Sequence, residues 1–402
     1  RLCHMAGAVG LAMKTPLMLV AGLAALGCDF TVQNGDSSAT QTSGAGVRYR
    51  VETVVDNLEV PWTIAWRPDG SMLITERPGR VRVFEKGKLS PQPIYVVPDV
   101  RNVSESGLMG LVLHPNYKKN KYVYLSYAYG ARGTSRGNRP EDRPTQEHGV
   151  RVVRFVDQGS SLKLDKIIVD GIPGAPNHAG CRIRFGPDGK LYVTAGDATD
   201  WESAQRLNTL AGKILRVNDD GSIPSDNPFV GRQGARPEIW AYGSRNSQGL
   251  DWHPVTGMLV NTEHGPSGFE GLGGGGDEVN IVDKGSNLGW PTIHHTMKQA
   301  GMVSPILEYS PAVAPASGVF YNGKAFPAWK NDFFFGCLKG QSVIRVTFDG
   351  RRVASTETML RGYGRIRDVA VGPDGYLYFS TSNRDGRNPG SPPDRILRVV
   401  PN

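Results

Sequence analysis

The sequence predicts an all-β fold built as a six-bladed propeller, and three observations carry that prediction. The 402-residue chain holds 51 glycines and 28 prolines beside 39% hydrophobic residues, enough apolar mass for a large core interrupted by many turns. Apolar residues alternate at period two in stretches such as "KLYVTAG" and "YLYFSTS", and few windows repeat at helical spacing. One kind of unit also recurs: an apolar residue, a turn centred on Pro in most copies, an alternating strand, then a second strand ending in a basic and apolar pair.

In chain order the copies are "AWRPDGSMLITERPGRVRVF", "LHPNYKKNKYVYLSY" with "RVVRF", "FGPDGKLYVTAGD" with "KILRVNDDG", "WHPVTGMLVNTEHG" with "DEVNIV", "VFYNGKAFPAWKNDFFFGCLKG" with "VIRVTFDG", and "VGPDGYLYFSTSN" with "RILRV". In most of them Pro presets φ and Gly supplies the positive φ that feeds the next strand. A single four-stranded blade cannot bury both faces, whereas radial stacking covers them and leaves short edges. Spacing between copies is uneven, so long loops are expected around "GARGTSRGNRPEDRPTQEHG" and "SGFEGLGGGGDE", and such loops on a rigid scaffold carry binding chemistry.

Ahead of the repeats, "MKTPLMLVAGLAALGC" from Met13 reads as an export signal with a loose lipobox at Cys28, residues 1–12 lying upstream of it. Its apolar run falls short of the roughly 20 residues that span a bilayer. The expected organisation is an export segment over 1–28, a flexible linker over 29–47 and the propeller over 48–402. The protein is expected outside the cytoplasm, periplasmic and open to lipid anchoring at Cys28, as a monomer or homodimer. Cys181 and Cys337 are the cysteines of the propeller, too few for a disulfide scaffold; they are two small core residues, a close pair, or two separate thiols lining the pocket wall. The net charge of +8 is spread along the chain without a Lys/Arg block interleaved with aromatics, which argues against nucleic acid and for small anionic ligands or an anionic surface.

Polar residues stand at comparable ends of the repeats: Glu105, His178, Asp197, Arg245, Asn246, Gly265, Pro266, Lys339, Arg365 and Arg367. In a ring they converge on the axis. No nucleophile elbow, HExxH, paired cysteine motif or phosphate loop occurs. What remains is a cationic pocket with one candidate base, His178, which by its residues alone reads first as a loop histidine bonded to a backbone carbonyl.

From about Val51 to Val399 the chain resembles the soluble pyrroloquinoline-quinone (PQQ) dependent aldose sugar dehydrogenases of the glucose/sorbosone dehydrogenase family. The matching stretches are "ESGLMGLVLHP", "HAGCRIRFGPDGKLYVTAGD", "GKILRVNDDGSIPSDNPF", "GSRNSQGL", "EHGPSG" followed by "GDEVN", "NLGWP" and "RIRDVAVGPDGYLY". The resemblance implies a six-bladed propeller that binds PQQ and calcium over its axis and oxidises aldoses at C1, passing electrons to an unidentified acceptor. It implies that Arg245, Lys339, Arg365 and Arg367 hold the carboxylates of PQQ, with Asn246 beside them and Arg245 counted with the catalytic set. It implies His178 as general base, Asp197 as the carboxylate that orients it, and Glu105 near the substrate. Main-chain oxygens of Gly265 and Pro266 would bind the axial calcium, and Glu278 a second, structural one. A recognition propeller without catalysis and a calcium-dependent lactonase are the competing functions. Two departures stand out: "PILEYSPAVAPASG" places Leu307 and Ser310 where bulky aromatics over the sugar are expected, implying an open sugar site, and the insertion "SGFEGLGGGG" is either a mobile flap or a plain surface loop.

Overall fold

The computed structural model describes residues 39–130, 148–387 and 392–402. The export segment, Cys28 and the central part of the "GARGTSRGNRPEDRPTQEHG" loop lie outside the described residues. The strands form six antiparallel sheets, each led by one innermost strand. These innermost strands are Pro61–Trp66 in blade I, Leu108–Leu113 in II, Ile183–Phe185 in III, Ser247–Trp252 in IV, Pro315–Phe320 in V and Ile366–Val371 in VI. They contact one another in that order, and the last contacts the first. The chain is a six-bladed β-propeller.

Closure of the ring comes from its two ends. Arg48–Leu58 pairs with Asp394–Pro401, Thr53 standing opposite Leu397, so the N-terminal strand completes the blade that the C-terminal residues build. Gln41–Thr42 pairs in turn with Arg48–Tyr49. The ordered sheet thus starts ahead of residue 48, and the last residues of the expected linker are part of it.

Six hydrophobic clusters fill the six interfaces between blades, which is why every second residue of the repeats must be apolar on both faces. Leu73 and Val83 meet Leu111 and Val123 between blades I and II. Val152 meets Leu191 between II and III. Ile214 meets Leu250 between III and IV, Val260 meets Phe333 between IV and V, Phe334 meets Leu377 between V and VI, and Ile396 meets Ile74 where VI returns to I. Removing these surfaces from water stabilises the ring at about 25 cal/mol per Å².

In an antiparallel blade the entry to the first strand and the exit of the second lie at one end, and the turn between first and second strands at the other. The Gly-Pro-Asp-Gly turn at 186–189 is therefore at the far end of blade III from His178 and Asp197. Its own geometry is local: Gly189 has φ +73°, and the Asp188 carboxylate accepts the Lys190 amide at 3.0 Å. A cavity of about 590 Å³ opens at that far end, bounded by Trp66, Phe185, Trp252 and Phe320, and contains none of the candidate residues.

Candidate active site

His178 sits on the segment that leads from the outer strand of blade II, Leu162–Pro173, to the inner strand of blade III. Its backbone is left-handed at φ +58°. Gly196 lets the strand exit of blade III run against this segment, since a Cβ there would collide with the His178 carbonyl. That close approach brings Asp197 to the ring: His178 Nδ1 lies 2.7 Å from Asp197 Oδ1. The carboxylate is fully buried and accepts two further donors, the Thr199 amide at 2.8 Å on Oδ1 and the Trp290 indole N–H at 2.9 Å on Oδ2. With three donors around it, Asp197 is an acceptor fixed in place, and the acceptor fixes the proton of the imidazole on Nδ1. Nε2 is left as the basic nitrogen, and it has no hydrogen bond within the described residues.

Glu105 lies at the entry to blade II and holds the same segment from its other side. Its Oε2 accepts the His178 amide at 3.1 Å and the Asn246 side-chain amide at 3.1 Å, and its Oε1 faces Arg387 at 3.2 Å. Burial works to raise the Glu105 carboxyl, but His264, His178 and Arg387 together outweigh it and hold the group down at about 2. Glu105 is thus an anion that positions His178 and Asn246.

The cationic residues gather as their positions at blade entries require. Arg245 and Asn246 immediately precede the inner strand of blade IV, and Arg365 and Arg367 open that of blade VI. Arg245 donates to the His264 carbonyl and to Ser267 Oγ, both at 3.2 Å, and pairs with Glu270; its Nε is buried with no partner. Arg367 donates to Gln248 at 3.1 Å and also buries an unpartnered Nε. Burial, more than any neighbouring charge, pulls its guanidinium down to about 9. Arg365 is different, neutralised by Asp385 at 2.7 Å. The oxygen of Asn246 is occupied by the Gly180 amide and by Gln248. Lys339, at the strand exit of blade V, is exposed and makes no ion pair among the described residues.

Gly265 and Pro266 follow the second strand of blade IV. The Gly265 amide donates to Asp277 at 2.8 Å, and the Pro266 carbonyl accepts the Gly275 amide at 3.1 Å, which leaves that oxygen one lone pair. Glu278 is not on the axis. It stands directly across the strand pair from Glu263, between blades III and IV, beside Asn261 and Asn280. Both carboxylates are buried, and among the described residues the Asn261 and Asn280 side-chain oxygens have no donor and no cation pairs with Glu278. Burial lifts Glu263 to about 7 and Glu278 well above the usual carboxylate range, each beside the other. Among the described residues no group of three or more His, Cys, Asp or Glu side chains is arranged to hold a metal ion.

Three expectations change. Leu307 lies on the outermost strand of blade IV and packs on the core between blades IV and V, so its size does not bear on the axis. Ser310 accepts the Gly276 amide at 2.9 Å and anchors the glycine-rich insertion. That insertion is neither a free flap nor a plain surface loop, because Glu270 ties it to Arg245. Cys181 and Cys337 are free and fully buried, in different clusters; burial pushes the Cys181 thiol up to about 12.

Residues 58–398 match the family model for glucose / sorbosone dehydrogenase. The chain belongs to the glucose/sorbosone dehydrogenase family. It is an oxidoreductase of that family. The aldose sugar dehydrogenase YliI of Escherichia coli K12 is 36% identical over 91% of this chain and 96% of its own. The crystal structure of the soluble aldose sugar dehydrogenase of Escherichia coli in its apo-form superposes with a TM-score of 0.77 at 34% identity, covering 88% of this chain and 100% of that one. The PQQ-bound aldose sugar dehydrogenase of Streptomyces coelicolor superposes with a TM-score of 0.71 at 29% identity, covering 87% and 98%.

Spacing alone did not single out Trp290, Gln248, His264 or Glu270. Trp290 lies 93 residues from Asp197, and only its place in the "NLGWP" stretch marks it. Among the described residues no helix is long and apolar enough to cross a membrane.

Proposed function

We propose that this dehydrogenase oxidises aldose sugars at C1 to lactones, using PQQ and calcium, with His178 as general base. The observation that carries the reading is the His178–Asp197 pair set beside Arg245, Arg365 and Arg367 at one end of the ring. Buried guanidinium nitrogens without acceptors suit a planar ligand bearing several carboxylates. Arg245, Asn246, Lys339, Arg365 and Arg367 would hold PQQ, and the main-chain oxygens of Gly265 and Pro266 would hold calcium. When bound, PQQ supplies the hydride acceptor and calcium the Lewis acid beside it.

The protein's own share is proton handling and positioning. His178 Nε2 takes the proton of the C1 hydroxyl while the C1 hydrogen leaves as hydride, so that the C–O bond becomes the lactone carbonyl. Asp197 keeps the other ring proton in place and balances the imidazolium that forms. Glu105 holds the His178 backbone and offers its carboxylate to a sugar hydroxyl.

The Glu263–Glu278 pair would hold the second calcium, since two facing carboxylates and two undonated amide oxygens are hard-cation ligands. The enzyme would work outside the cytoplasm after export through residues 1–28, with Cys28 as an acylation site, and pass electrons to a soluble or membrane-bound acceptor. The test is dye-linked oxidation of glucose and other aldoses by purified protein, with and without added PQQ and calcium. Activity that needs both supports the reading; if no aldose is oxidised and PQQ does not bind at micromolar concentration, the reading is wrong.

A further inference from the structure

The insertion "SGFEGLGGGG" places a carboxylate on the guanidinium that the proposed cofactor needs. Arg245 is 2% exposed and Glu270 6%, so the pair is shielded from solvent. Both Glu270 oxygens are engaged, Oε1 by Arg245 Nη2 and Oε2 by the Ser267 amide at 2.9 Å. The loop is pinned only at its base, where Gly275 donates to the Pro266 carbonyl and Ser267 bridges Gly274. Between those pins the chain runs through Gly268, Phe269, Glu270, Gly271, Leu272 and Gly273. Phe269, next to the buried carboxylate, is 86% exposed. Among the described residues the polar side-chain contacts that draw this tip inward are the Glu270–Arg245 pair and its Ser267 support.

We propose that Glu270 is a resident stand-in for a cofactor carboxylate, closing the cofactor-free site and leaving Arg245 when the cofactor enters. The inference rests on the PQQ reading above. A buried guanidinium without an anion is costly, and a carboxylate of the chain's own at that point lowers the cost before loading. The donors of Arg245 decide what happens next. Nη1 is committed to the His264 carbonyl, Nε is free, and Nη2 is shared between Ser267 and Glu270. A bidentate carboxylate takes Nε and Nη2 together, and Nη2 is the atom Glu270 holds. Loading is therefore an exchange of one carboxylate for another, and each exchange frees the loop tip that carries Phe269. The glycines make the released tip cheap to move, since Gly271 at φ +74° and Gly273 at φ +80° have open space around them. The device trades cofactor affinity for stability of the empty enzyme.

The test compares parent, Glu270→Gln and Glu270→Ala in the full-length apoprotein with calcium present. PQQ binding is read by quenching of tryptophan fluorescence, Trp290 lying 5.4 Å from the Arg245 guanidinium. Chymotrypsin cleavage after Phe269 reads the loop independently of activity. Both variants are expected to bind PQQ about tenfold more tightly than the parent, the coupling usual for a displaced partner. Cleavage in the parent is expected to rise several-fold on PQQ addition and to be already high in both variants without it. Equal or weaker PQQ affinity in both variants, with unchanged cleavage, overturns the latch and leaves the cofactor assignment standing. Failure of parent and variants alike to bind PQQ overturns the cofactor assignment and the latch with it.

Discussion

Asp197→Asn replaces one oxygen of a carboxylate that serves three donors. In the parent, Oδ1 accepts His178 Nδ1 and the Thr199 amide, and Oδ2 accepts the Trp290 indole. An asparagine has one acceptor oxygen, so one arrangement faces its amide at the Trp290 N–H and buries two donors against each other. The opposite arrangement turns the amide toward the Thr199 amide and His178 Nδ1, forcing the ring proton onto Nε2 and removing the base. Either way a buried donor loses its acceptor, which costs about 1–3 kcal/mol of stability. In the first arrangement the imidazolium that forms loses its balancing charge, and in the second the positioned base itself is lost, which costs roughly 10²–10⁴ in rate, or about 3–5 kcal/mol of transition-state stabilisation. The Asp197 side chain bonds none of the Arg245, Arg365 or Arg367 guanidiniums, and its backbone amide, which donates to the Arg245 carbonyl at 2.8 Å, is kept in the variant, so PQQ affinity should change by less than about threefold. The assay is dye-linked glucose oxidation at saturating PQQ and calcium, beside a PQQ titration and a thermal melt. A variant that folds, binds PQQ and keeps kcat within threefold of the parent would refute the dyad.

The remaining predictions concern charge and burial. Glu278→Gln should stabilise the calcium-free protein at pH 8, because a carboxylate whose folded pKa is raised loses its contribution as pH rises through that pKa; Glu263, at about 7, titrates in the same window. Calcium should raise the melting temperature of the parent and do so less in the variant. Lys213 is fully buried, donates to the carbonyls of Ser203, Ala204 and Ala211, and is drawn down to about 7 by burial. A depressed lysine leaves the unfolded chain binding more protons, so Lys213 itself should contribute a rise of about 2 kcal/mol from pH 7 to 9, read in denaturant titrations as the parent's change over that range minus that of Lys213→Met. Thiol labelling of the native protein should miss Cys181 and Cys337, and both should label after denaturation under non-reducing conditions.

What could be read from the sequence depended on how local its physical cause was. The blades were legible because each repeat carries its own turn and its own alternation, as in "FGPDGKLYVTAGD". The convergence of Glu105, His178, Arg245 and Arg365 followed from the repeat, since each occupies the entry to an inner strand. Contacts set by packing between distant loops were not legible. Trp290 reaches Asp197, and Glu270 reaches Arg245, through loops whose path depends on the whole ring. Glu278 was visible as an acidic residue, but its partner Glu263 emerges only from strand register. Leu307 was misplaced for the same reason, since counting along "PILEYSPAVAPASG" does not say that the segment forms an outer strand.

The most direct measurement is the rate of PQQ reduction by glucose in a single turnover of His178→Ala, with PQQ binding measured on the same sample. PQQ affinity is expected within about threefold of the parent, with a reduction rate lower by at least roughly 10². A variant that binds PQQ and reduces it at the parent rate would contradict the assignment of His178 as the base.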